Sequence, residues 1–100
     1  MPTAYVTAPP EAADDIATAL VEEELAACIN RLKCRSTFHW EGEVTTEEEV
    51  VLLAKTTAER YDELQDRVVE LHPYEVPCVE RFDEADVLES FGAWLDESVR

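Results

Sequence analysis

The stretch "ELHPYEVPCVE", Glu70 to Glu80, holds side chains able to offer nitrogen, oxygen and sulfur to one ion: His72, Glu75 and Cys78. Soft or borderline cations such as copper and zinc take that mixture of donors. The same residues also read as plain architecture. Pro73 stops a helix, the His72 imidazole caps that helix's last carbonyls, and a free cysteine such as Cys78 is commonly a small buried hydrophobe. The sequence leaves both readings open and requires no cofactor for folding.

Two other groups could carry chemistry. Arg31, Lys33 and Arg35 put three of the eight basic residues on one side of a single strand. With Lys55 they could hold a small anion, or they could pair with acidic groups of the same or a neighbouring subunit. Trp40, Tyr74 and Trp94, again with Lys55, fit either an intersubunit cleft or ordinary interface packing. No Gly-rich phosphate loop, nucleophile elbow or His-Glu-x-x-His pair is present, so no enzymatic activity is expected. Three cysteines, Cys28, Cys34 and Cys78, with no Cys-x-x-Cys spacing, argue for free thiols in a reducing compartment.

The bulk charge narrows the partners. Twenty-four acidic against eight basic residues give a formal net charge of −16. That disfavours nucleic acid and anionic membranes, both of which are bound through clustered basic side chains. The acids alternate with periodic apolar residues, so they belong to folded surfaces rather than to a disordered tail. Such a surface repels itself until salt screens it, which points to a halophilic source. With no apolar run of spanning length and no basic-then-apolar leader, the expected location is the cytoplasm.

These groups must be positioned by elements that the periodicity predicts over residues 1–100, read as one domain. "TAYVTA" is strand-like, and Pro9-Pro10 opens a helix carrying Ala13, Ile16, Ala17, Leu20 and Val21 at helical spacing. From Cys28 to Trp40 the period is two, with Cys28, Leu32, Cys34, Phe38 and Trp40 on one parity. A turn at Gly42 leads to a second strand whose run Val50 to Ala54 suits a central position. Thr56 with Glu59 predicts a helix cap, Pro73 a helix stop, Pro77 an edge or early position within a strand "EVPCVERF", and Asp86 with Glu89 the cap of a terminal helix. The order is that of an α+β, ferredoxin-like βαββαβ sandwich with a long β-hairpin and an extra C-terminal helix. Its helices cover one sheet face, and the apolar parity around Phe38 and Trp40 calls for self-association to cover the other.

In this order and spacing, "TAP" (Thr7 to Pro9), "LAACIN" (Leu25 to Asn30), "STFHWEGE" (Ser36 to Glu43), "KTT" (Lys55 to Thr57), "ELHPYEVP" (Glu70 to Pro77) and Phe91-x-x-Trp94-Leu95 resemble the CutA family of divalent-cation tolerance proteins. The resemblance spans nearly the whole chain. It implies a PII-like homotrimer that binds copper or other divalent metal ions in metal response, with no established reaction. The alternative is a PII-like regulatory or scaffolding module binding a small anion or a partner protein in intersubunit clefts. Two departures stand out. "RLKCRS", Arg31 to Ser36, replaces the family's Pro-Gly turn. Val6 and Cys78 occupy positions where metal-binding members carry a cysteine and an acidic residue.

Overall fold

The computed structural model describes residues 1–100. Strand β1 (Pro2–Ala8) leads through Pro9 into α1 (Pro10–Glu22), whose first helical position is Pro10, where a missing N–H costs nothing. Strands β2 (Cys28–Trp40) and β3 (Glu43–Lys55) form the hairpin, and α2 (Tyr61–Leu71), β4 (Val79–Asp83) and α3 (Glu89–Ser98) complete the chain. The sheet is antiparallel throughout, in the order β2-β3-β1-β4. As expected, β3 is central and β4 lies at an edge, but β4 starts only at Val79, so Pro77 precedes the strand instead of lying within it.

One face of the sheet is sealed. Ala4, Val6 and Ala8 of β1 and Leu52 and Ala54 of β3 pack with Ile16 and Leu20 of α1 and Leu64 and Val68 of α2. Thr56 donates from its buried hydroxyl to the Leu25 carbonyl at 2.7 Å, tying the end of β3 to the turn after α1. Thr56 is therefore a core tie and not the predicted cap. Thr57 instead accepts the Arg60 N–H at 3.2 Å, and α2 starts only at Tyr61 with no side-chain cap. The cap expected from Asp86 is likewise absent, since α3 follows Leu88 without one.

The hairpin outruns the rest of the sheet. Its register pairs Cys28 with Lys55 and continues to Trp40 with Glu43, whereas β1 accompanies β3 only from Lys55 to Val50. Beyond that point residues 34–40 and 43–49 form a two-stranded ribbon, contributing to the 45 Å long axis of the molecule. The turn closes in two residues, Glu41 at φ 50° and Gly42 at φ 82°, both left-handed as a twist-matched type I′ turn requires. "RLKCRS" makes no turn. Arg31 to Ser36 runs as unbroken strand against Leu52 to Glu47, so Cys34 sits mid-strand opposite Glu49.

The register also separates the two faces of β2. Arg31, opposite core residue Leu52, lies on the helix side, while Leu32 faces the uncovered side with Val51. Leu32 is 49% exposed and Trp40 55% exposed in the single chain. A two-stranded ribbon with exposed apolar residues is marginal on its own, so this face needs a cover.

Candidate functional site

Where the ribbon leaves the sheet, it faces the segment from Pro73 to Cys78 across a groove of about 1020 Å³. Tyr5 and Thr7 of β1 and Glu80 of β4 contribute from the sheet, and Phe38 and Trp40 from the ribbon. Seven carboxylates line it and no lysine, arginine or histidine does. In a chain with eight lysines and arginines among 100 residues, an acidic lining without a base departs only modestly from the overall composition.

His72 holds one wall of the groove in place. Its backbone N–H caps α2 on the Val68 carbonyl at 2.8 Å, and its ring turns away from the helix. There Nε2 lies 2.7 Å from the Thr7 carbonyl, and the Tyr74 N–H donates to Nδ1 at 3.1 Å. Because Nδ1 accepts, Nε2 carries the hydrogen and donates to Thr7. The predicted cap by the ring on the last carbonyls of α2 is thus replaced by a bridge from the end of β1 to the following turn. Both ring nitrogens are committed, and the residue is only 7% exposed.

Tyr74 continues the chain of contacts. Its ring lies 4.8 Å from the His72 ring, centroid to centroid, and its hydroxyl approaches Glu49 Oε2 at 3.4 Å. Burial, with the Glu49 carboxylate beside it, pushes the Tyr74 hydroxyl pKa up. Glu49 is 6% exposed, at the first β3 residue beyond the β1 register. Sequence reasoning missed it within "EEEV", where it looks like a solvated acid. The available signal was parity, since Glu49 shares its face with Val51 and Leu53.

The expected metal set does not assemble. Glu75 and Cys78 line the groove, but no three His, Cys, Asp or Glu side chains converge into a possible cation cage within the chain. Burial raises the Cys78 thiol pKa, and the Glu80 carboxylate, 3.6 Å from Sγ, adds to the rise while Thr7 opposes it. All three cysteines are free.

The remaining expected residues scatter. Trp40 and Tyr74 share the groove. Lys55 donates to Asn30 Oδ1 at 2.7 Å near the opposite end of the hairpin, and Trp94 pairs with Phe91 on α3 with ring centroids 5.6 Å apart. On the basic strand, Arg31 lies 3.6 Å from Asp14 and Arg35 3.5 Å from Glu48, so two of the three follow the ion-pair reading. Both pairs are exposed and worth little.

A four-stranded antiparallel sheet in this order, with two helices on one face and a hairpin drawn out past its neighbours, defines a ferredoxin-like α+β protein of the PII-like kind. Residues 3–98 match the CutA1 divalent ion tolerance protein family, and the chain belongs to it. The divalent-cation tolerance protein CutA of Pyrococcus horikoshii is 38% identical over 97 residues, 96% of this chain and 95% of that one. The crystal structure of CutA1 from Pyrococcus horikoshii superposes with a TM-score of 0.96 at 37% identity, covering 100% of this chain and 99% of that one. The PII-like protein CutA from Nostoc matches with a TM-score of 0.96 at 33% identity, over 100% and 98% of the chains. The periplasmic divalent cation tolerance protein CutA from Archaeoglobus fulgidus matches with 0.95 at 37% identity, over the whole of both. No helix here is long and apolar enough to cross a membrane.

Proposed function

We propose that this protein acts in the cytoplasm as a homotrimer of the divalent-cation tolerance type, binding copper or another divalent metal as part of a metal response rather than catalysing a reaction. The uncovered sheet face and the exposed ribbon support the assembly, because each apolar Å² they bury contributes about 25 cal/mol. The observation that carries the cation reading is the groove beside Cys78, rich in carboxylates and empty of bases.

Within this reading, Glu75 and Cys78 face the ion, and His72 keeps their segment in place instead of ligating. The donors of one chain do not make a complete site, so further ligands come from a neighbouring subunit. Calorimetry of Cu(II) and Zn(II) against wild type, His72→Ala, Glu75→Gln and Cys78→Ser, with thiols reduced and free metal buffered, tests it. The reading expects Glu75→Gln and Cys78→Ser to weaken binding, and four superimposable isotherms would remove it. Fractionation of source cells followed by immunoblotting checks the location.

The regulatory alternative, a PII-like module for a small anion or partner protein, has support in the likeness to the Nostoc protein and in Lys33, which has no carboxylate within 4 Å. Anion binding in the groove itself is disfavoured by its charge.

A further inference from the structure

We propose that the His72 imidazole is a proton-operated clasp: a second proton on the ring, taken at Nδ1, releases Pro73–Pro77 from the end of α2 while the rest of the chain stays folded. The segment is thinly tethered. Its backbone makes one hydrogen bond within the chain, from the Tyr74 N–H to His72 Nδ1 at 3.1 Å. The only side-chain bond it adds is the long contact of the Tyr74 hydroxyl with Glu49. Between α2 and β4 there is no regular structure, so no ladder holds the segment once the bond to Nδ1 is gone.

That bond depends on the charge of the ring. Nε2 spends its hydrogen on the Thr7 carbonyl at 2.7 Å, so Nδ1 accepts only while the imidazole is neutral. An imidazolium carries a hydrogen on both nitrogens, and at Nδ1 it meets the Tyr74 N–H donor against donor. The Nε2 bond to Thr7 is compatible with either state. Protonation therefore leaves the ring anchored to β1 and lets go of the segment alone, which is the behaviour of a switch rather than of unfolding. The ionisable groups around the ring do not oppose the proton. Glu49 and Glu47 of β3 and Glu11 of α1 act on the Tyr74 hydroxyl, and Glu75 lies in the segment itself. The Cys78 thiol stands across Thr7, and Glu70 of α2 is already paired with Arg67 at 3.4 Å. No lysine or unpaired arginine is among them.

The clasp is independent of what the groove binds and of how copies assemble. It is tested on the protein as purified, at high KCl, between about pH 7.5 and about pH 5, either side of the ~6.5 of an ordinary imidazole. Ring ¹⁵N shifts follow the proton on His72. Amide hydrogen exchange, corrected for its intrinsic pH dependence, follows Tyr74 and the core amides of β1 and β3. The expected result is that Nδ1 gains its hydrogen over this range and Tyr74 protection falls about tenfold in step, the scale of one hydrogen bond, while the core stays protected. His72→Asn, whose Oδ1 can accept from Tyr74 and gains no proton, is expected to flatten that pH dependence, and His39→Asn on β2 to behave as wild type. Should His72→Asn fail to fold, the ring and amide titrations of wild type decide. A ring that gains the proton with Tyr74 still protected overturns the clasp, as does a ring that stays neutral throughout. Loss of protection at Tyr74 and in the core together would mean acid unfolding and overturn it as well.

Discussion

The imidazole of His72 joins the Thr7 carbonyl at the end of β1 to the turn that follows α2, donating at 2.7 Å through Nε2 while Nδ1 receives the Tyr74 N–H. Removing the ring takes a part-buried partner from both the Thr7 carbonyl and the Tyr74 N–H. His72→Ala is therefore expected to cost about 2–4 kcal/mol, above the ~1 kcal/mol of a simple cap. Urea unfolding at high KCl measures it, and ¹⁵N chemical shifts of the ring check for the Nε2–H tautomer.

Thr56 gives a sharper discrimination between sequence and structure. As a helix cap it would tolerate serine and lose its contribution with valine at little packing cost. As the core tie to the Leu25 carbonyl, Thr56→Val is expected to destabilise by about 1–3 kcal/mol, because it strips a buried acceptor of its partner. Amide exchange of the residues around Leu25 should rise with it, while the first turn of α2 stays protected.

Trp40 tests the assembly. At 55% exposure in the single chain, its truncation would cost little in a monomer. If the ribbon is covered in a trimer, Trp40→Ala should cost on the order of 3–5 kcal/mol and make melting depend more steeply on protein concentration. Light scattering of wild type should give about three chains per particle, and a monomer would remove the interface.

Alkaline pH should weaken the fold. Burial raises the hydroxyl pKa values of Tyr5, Tyr61 and Tyr74 and the thiol pKa of Cys78, so the unfolded chain releases these protons first. Over the window between the unfolded and the raised folded values the native state binds more protons, and stability falls as pH rises. Tyr74→Phe should flatten that slope. Cys78 should also alkylate more slowly than a free thiol at neutral pH, in a rate measured by mass spectrometry.

Salt should raise the melting temperature. Exposed pairs such as Arg31 with Asp14 weaken on screening, but they are outnumbered by unpaired acids in a chain of net charge −16. The net effect of KCl is expected to be stabilising up to molar concentrations, and a flat curve would remove the halophilic reading.

The parts of the molecule written in periodicity were legible. The alternation from Cys28 to Trp40, the run at Val50 to Ala54 and the prolines at 9, 10, 73 and 77 each act locally, and each appears where local physics puts it. The caps at Thr56 and Asp86 failed because a capping pattern specifies a possible hydrogen bond, and tertiary contacts at Leu25 claimed the Thr56 hydroxyl first. The site was legible only in outline. Glu49 and Tyr74 meet across 25 residues, and His72 reaches back 65 to Thr7, distances at which spacing carries no signal. The basic strand was readable as a concentration, but its pairing with Asp14 required knowing which side of β2 faces α1.

The two edge strands, β2 and β4, stand at opposite ends of the sheet and differ in length and side chains. A tile with unlike edges joins its copies head to tail, and the angle of each join decides whether growth ends in a ring or runs on as a fibre. In the proposed trimer, three joins of a third of a turn would close the ring and leave no edge behind. In such a ring a net charge of −16 per chain would oppose the stacking of rings and the addition of stray tiles.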